Sequence, residues 1–117
     1  MTGALLNRRT GTVVASFLEV ATTRRSRRRG LLGRDRIVRG SGLLLRPCRA
    51  IHTCFMRFSI DVLFIDGSGQ VVKACPDVRP WTLRACAAAR AVVELPVGTI
   101  ARSGTRTGDA LDLCCSV

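Results

Sequence analysis

Cys48, His52 and Cys54 fall within seven positions of "CRAIHTCFMRFSIDVLFID", residues 48–66, and Arg57 and Asp61 lie further along the same run. Soft and titratable side chains so close together point to three chemistries. One is a metal centre. On a strand, His52 and Cys54 would share a face, and Cys48 could fold back across Pro47 to join them. A structural zinc site wants four Cys or His ligands, usually as close pairs. The fourth would have to come from Cys75, Cys86 or an acid, and the spacing matches no standard zinc motif. A second chemistry is a thiol enzyme, with His52 and Arg57 favouring the thiolate of Cys54. The strand beyond is apolar, however, and a buried Cys is usually inert.

The third chemistry is recognition. His52, Arg57, Asp61 and Trp81 could line a cleft for a small or peptide-like ligand, with Trp81 as an apolar wall between Arg79 and Arg84. A plainer reading treats the same residues as structural. Asp61 sits between Ile60 and Val62, so its charge must be paired, hydrogen-bonded or at a surface. Arg57 is the expected partner, His52 would bond to backbone, and Trp81 would pin a loop. Glu94, in "VVELP", reads as a solvated strand residue or a partner for Arg90 or Arg102. No second carboxylate stands at acid/base spacing, no Ser-His-Asp arrangement is legible, and no cofactor motif is present. "DGSGQ", residues 66–70, is a hairpin turn without the helix that phosphate binding needs.

Charge supplies another candidate. The formal net charge is +11, and residues 1–50 carry twelve Arg against Glu19 and Asp35. The basic centre is "RRSRRRGLLGR", residues 24–34. Arg24, Arg25, Arg27, Arg28 and Arg29 should attract polyanions, whether nucleic acid, acidic lipid or acidic protein. The plain alternative is a solvated face. Aromatics are few, with one Trp, four Phe and no Tyr, which leaves little for a stacking platform of the kind that binds single-stranded nucleic acid.

These residues must be carried by a chain of 117 amino acids, the length of one domain. Folding should bury about two thirds of the surface that the unfolded chain exposes, and the 47% hydrophobic content argues against disorder. The core is expected to be Val, Leu, Ile and Ala. The six cysteines, at 48, 54, 75, 86, 114 and 115, lack the spacing of a disulfide framework and include no C-x-x-C. They read as reduced thiols of a cytoplasmic protein. No stretch approaches the roughly 18 apolar residues of a membrane span. "TGTVVASFLEVA" after Arg8 and Arg9 could pass for a signal sequence, but Glu19 interrupts it and a strand is the better reading.

Along the chain, "ALLNRRTGTVVASFLEVA" reads as strand, turn and strand, with Asn7 to Gly11 at the turn. Thr22 or Thr23 can cap a short helix closed by Gly33 and docked by Leu31 and Leu32. "GLLLRP" is a short buried strand, and "AIHTCFMRF" alternates loosely. "IDVLFID" is apolar on both faces and should be central. "VVKACPDV" returns from the hairpin, and Pro76 and Pro80 should break regular structure there. "RACAAARAVVELP" allows helix or strand. "PVGTIARSG" reads as a short helix capped by Thr99 and stopped by Gly104. The sum is an α+β, mainly β domain spanning 1–117. It should be a small antiparallel sheet, curled or barrel-like, with two short helices.

With these pieces in view, the chain resembles the family called domain of unknown function 192. The resemblance rests on "RGLLGR" (29–34), "GLLLRPC" (42–48), "IHTCFMRFSIDVLFID" (51–66), "VRPW" (78–81), "VVELPVGTIARSG" (92–104) and "GDAL" (108–111). It implies a compact, β-rich domain with short helices and no established biochemical activity. Ser59 stands where the family usually has Pro. Arg25 and Arg28 stand where the family usually has apolar or aromatic residues, which implies either a helix turned differently or a basic surface that relatives lack. The reading preferred on these grounds is a non-enzymatic module that binds a ligand or protein partner through the cleft of His52, Arg57 and Trp81. Polyanion binding through Arg24–Arg34, and a metal- or thiol-dependent enzyme using Cys48, His52 and Cys54, are the alternatives. Oligomeric state is not legible.

Overall fold

The computed structural model describes residues 2–115. Two sheets and two short helices make up its regular structure. Strands β1 (Thr2–Asn7) and β2 (Val13–Ala21) form the expected first hairpin. The Asn7 carbonyl accepts the amide of Gly11 at 2.9 Å across the turn. Gly11 has φ +68°, a conformation that suits glycine.

Helix α1 (Arg24–Arg29) begins where a hydroxyl can cap it. Thr23 Oγ1 accepts from the Ser26 amide at 3.0 Å, and Ser26 Oγ accepts from the Thr23 amide at 3.1 Å. This reciprocal pair satisfies amides that a helix start otherwise leaves unpaired. The helix ends at Gly30 rather than at Gly33. None of its own residues is buried. It is anchored by Leu31, which is buried, and by Leu32, which packs against the core.

Strand β3 (Ser41–Leu45) comes after this crossover and pairs parallel to β2. The expected antiparallel sheet is therefore mixed. A hairpin cannot place two strands side by side in the same direction, whereas a crossover carrying a helix can. Gly42 makes the close packing here possible. A Cβ on it would stand 2.9 Å from both Leu18 Cδ1 and Leu95 Cδ2.

The chain continues through β4 (Ala50–His52), β5 (Ile60–Ile65), β6 (Val71–Val78), β7 (Leu83–Ala85), β8 (Ala91–Pro96), α2 (Thr99–Ser103) and β9 (Leu111–Cys115). The large sheet has the order β6-β5-β8-β3-β2-β1-β9, and β4 pairs with β7 in a small second sheet. A bridge between Gln70 and Ala110 brings the two ends of the large sheet together, so it curls into a half-barrel. Inside the curl lie Leu18, Leu63, Val93 and Leu95. On its other face, Ile60, Val62, Phe64 and Val92 pack with Leu31, Ile51 and Met56. Every residue of β5 is buried, as its two-faced apolar pattern anticipates.

Several local expectations change. Pro76 does not end β6 but lies within it, on an edge strand that has no partner on one side. Such an edge tolerates a residue without an amide hydrogen. The ambiguous 84–96 stretch is strand at both ends, β7 and β8, with no helix. Helix α2 takes Gly98, not Thr99, as its N-cap, and Gly98 offers no side-chain bond. Asp61 of β5 supplies the missing acceptor: its Oδ2 accepts the Ile100 amide at 2.9 Å.

The turn of the first hairpin is latched to the start of β9. Asn7, fully buried, donates to Thr105 and to Asp109. Arg9 Nε donates to Asp109 Oδ1 at 2.6 Å. That guanidinium is the main reason the Asp109 carboxyl lies well below the usual carboxylate range.

Candidate functional site

The residues singled out by sequence are not gathered in one cleft. Asp61 is buried in β5, with both oxygens on backbone amides: Asp77 donates to Oδ1 and Ile100 to Oδ2, each at 2.9 Å. The Asp77 amide sits in a bulge of β6, where Asp77 itself has φ +49°. Asp61 thus ties a bulge and a helix start to the central strand. Arg57 does not pair with Asp61. It is exposed and pairs with Asp35 instead. The reason is positional: Arg57 precedes the strand on the surface, whereas Asp61 turns inward, where backbone amides already use its acceptors.

Trp81 is not a core residue. It is 65% exposed and packs at a tilt of 57° against Phe55, itself 72% exposed, with ring centroids 4.6 Å apart. Both have positive φ, +63° and +67°, uncommon for bulky side chains. Thr53, fully buried between them, holds both turns. Its carbonyl accepts the Trp81 amide at 3.1 Å and the Met56 amide at 3.1 Å. Its hydroxyl donates to the Arg79 carbonyl at 2.6 Å and accepts the Thr82 amide at 2.9 Å. The loose alternation after His52 therefore ends in this turn, not in a longer strand.

His52 alone of the four expected cleft residues lines the cavity between α1 and β4. This cavity has a volume of about 340 Å³, within the range of small-ligand sites, roughly 300–1,000 Å³. Arg24, Arg27, Arg28 and Arg29 border it, so the basic segment and His52 share one site. None of Arg24, Arg25, Arg27, Arg28 and Arg29 has a carboxylate partner among the described residues. Arg27 is steadied by the backbone, donating to the Thr22 carbonyl at 3.1 Å. Arg34, just beyond, forms a two-point pair with Glu19 at 3.2 and 3.0 Å.

Cys48 also lines the cavity, and its thiol donates to the Ala50 carbonyl at 3.2 Å. Burial pushes this thiol up, with the Glu94 charge acting in the same direction and Arg27 against it. A thiol held protonated is a poor nucleophile. Cys54 is half-buried in the turn that carries Phe55. No three His, Cys, Asp or Glu side chains come together as metal ligands among the described residues. The Cys48, His52 and Cys54 grouping is thus not assembled into a centre of that kind.

Glu94 departs from its sequence-based reading. It is neither a solvated strand residue nor a partner of Arg90 or Arg102. It is buried on β8 and lines the cavity. Burial pushes its carboxyl from 4.5 up to about 7, with Arg34 pulling the other way. A sequence signal existed. "VVELP" places one acid among apolar residues of a short buried strand, the same signature that singled out Asp61.

The chain is similar to several known proteins. Residues 5–113 match the family DUF192, described as "Uncharacterized ACR". A "UPF0127 protein" from Thermococcus sibiricus is 33% identical over 113 residues, covering 92% of this chain and 73% of that protein. Among solved structures, a protein of unknown function from Novosphingobium aromaticivorans is similar with a TM-score of 0.81 at 21% identity, over 96% of this chain and 84% of the other. A protein of Sinorhizobium meliloti provisionally named a transcription regulator has a TM-score of 0.83 at 22% identity, over 96% of this chain and 92% of the other. At such identities the likeness to the two structures is one of fold.

Proposed function

Since the chain belongs to the DUF192 family, for which "uncharacterized" is the description, we propose from its geometry that it is a non-enzymatic binding module for a small ligand bearing an oxyanion. One observation carries this reading: four arginines of α1 and His52 border the same cavity of about 340 Å³. Guanidinium groups match phosphate and carboxylate geometry in two-point contacts, and none of these arginines is ion-paired with a carboxylate among the described residues. The Cys48 thiol, held protonated, supports binding over thiol catalysis. The six cysteines, without a disulfide framework in their spacing, support a cytoplasmic location.

Titration with ethyl phosphate, monitored by amide chemical shifts, tests the reading. Saturable binding is expected, with shifts centred on residues 24–30, Cys48 and His52. It should weaken at least tenfold in a combined Arg28→Ala/Arg29→Ala variant. Shifts scattered over the surface, without saturation, would refute a built site.

A second reading has its own support. The five arginines of α1 are nearly all of that helix, and such a surface attracts polyanions. Duplex DNA across a salt series separates the two. Tight DNA binding that falls steeply with salt, coupled with no saturable ethyl phosphate site, would favour the polyanion surface.

A further inference from the structure

We propose that the cavity takes an amphoteric ligand, whose oxyanion lies on the α1 arginines and whose protonated amine or amidine donates to Glu94. The inference deepens the binding reading above and rests on it.

Glu94 is the starting point. It is only 5% exposed, it lines the cavity, and it has no hydrogen bond among the described residues. No buried side-chain oxygen or nitrogen fully closed off from the surface lacks a partner among those residues. The unpartnered carboxyl therefore opens into the cavity rather than being sealed in the core. A buried acid is normally paired or hydrogen-bonded. Three guanidinium groups that line the cavity or act on the carboxyl leave it unbonded. Arg34 influences Glu94 but is committed to Glu19. Arg27 reaches the Thr22 carbonyl instead. Arg29 lines the cavity without an acid partner among the described residues.

The two halves of the cavity thus ask for opposite things. The rim presents unpaired guanidinium groups, which attract an anion. The floor presents an acid without a donor. A simple anion would satisfy the rim and leave the acid of the floor without a donor. A simple cation would meet the rim first and be repelled there, in a chain whose formal net charge is already +11. A molecule with both groups satisfies each, and the volume of about 340 Å³ limits it to a small one. Burial also raises the Glu94 carboxyl to about 7. An incoming ammonium would favour its ionised form, and the charged hydrogen bond would form away from bulk water, where such bonds are strong.

The test is a matched pair of probes: ethyl phosphate and O-phosphoethanolamine, which differ by an amine on the same short chain. With wild-type protein, phosphoethanolamine is expected to bind at least tenfold tighter. Glu94→Gln is expected to reduce that advantage to within about twofold. The wild-type comparison needs no variant, so the outcome does not depend on whether Glu94→Gln folds. If ethyl phosphate binds in an arginine-dependent way and phosphoethanolamine binds no tighter, the oxyanion site stands and the amphoteric inference is overturned. An advantage that persists undiminished in folded Glu94→Gln also overturns it. If neither probe binds, the site reading itself fails, and this inference with it.

Discussion

Gly30 closes helix α1 directly over Glu94: a Cβ on Gly30 would lie 3.8 Å from Glu94 Oε1. The rim and the floor of the cavity therefore meet at one glycine. Gly30 has φ +47° and ψ −125°, a conformation open to glycine and strained for other residues. The chain turns there from the arginines of the helix to the buried Leu31, which sets α1 against the face of β8 that carries Glu94.

Glu94 makes stability depend on pH in a definite direction. Its carboxyl is raised from 4.5 to about 7 in the folded protein. Between those values the unfolded chain has released the proton and the folded chain still holds it. The associated stability is thus fully present below the unfolded value and is lost as pH rises through about 7. A shift of this size corresponds to about 3 kcal/mol. The titratable and charged groups that share the cavity with Glu94 or act on it are Arg24, Arg27, Arg28 and Arg29 of α1, Arg34 beyond it, Cys48 and His52. Denaturant unfolding of wild type and Glu94→Gln should be compared from about pH 5 to pH 8. Groups other than Glu94 largely cancel in the comparison, and the variant is expected to lose less stability as pH rises. Parallel curves would show that Glu94 titrates as an ordinary acid.

Asp61 is expected to be a strong stability determinant without any part in binding. Its two oxygens satisfy the amides of Asp77 and Ile100, and removing a buried acceptor costs about 1–3 kcal/mol for each group left unpaired. Asp61→Ala should therefore lose roughly 3 kcal/mol in chemical denaturation, and the Ile100 amide should exchange faster with solvent. Asp61→Asn keeps one oxygen and should lose less. A change in Asp61→Ala below about 0.5 kcal/mol, the range of ordinary surface substitutions, would mean that other contacts hold α2 to β5.

Thr53 should govern the Phe55–Trp81 pair. Its hydroxyl bonds two points of the loop that presents Trp81, at Arg79 and Thr82. Thr53→Val removes those bonds at nearly constant shape. Trp81 is the only tryptophan, so fluorescence reports on it alone. Lower anisotropy and a red-shifted emission are expected in the variant, together with a loss of about 1–3 kcal/mol in stability. Anisotropy equal to wild type would show that the contact between the rings suffices to hold the pair.

Much of the architecture is legible from local pattern. The first hairpin, the buried 60–65 strand, the turn at Asp66–Gln70 and the stop of α2 at Gly104 all appear where residue types place them. Each rests on a short-range cause: a glycine with positive φ, a hydroxyl able to cap, an apolar run of strand length. Charge and spacing mark His52 and the basic segment as candidate binding residues. That they face one cavity is not legible, because only folding brings β4 and α1, remote in sequence, to the same face of the large sheet.

Identity and order of residues were enough to place the first hairpin, the 60–65 strand and the 66–70 turn, and to mark Asp61 as an acid in an apolar strand. Folding settled its partners. Asp61 meets Asp77 and Ile100 rather than the nearby Arg57, because a buried carboxylate is served by whichever donors the neighbouring strands bring to it. Likewise β3 runs parallel to β2, a choice made by the crossover through α1. Glu94 shows the limit most plainly. A single acid in a strand is solvated or buried according to the element that covers its face of the sheet, and here α1, remote in sequence, covers it. Burial, pairing and acidity are properties of that arrangement, and desolvation is a three-dimensional effect that no local pattern can express.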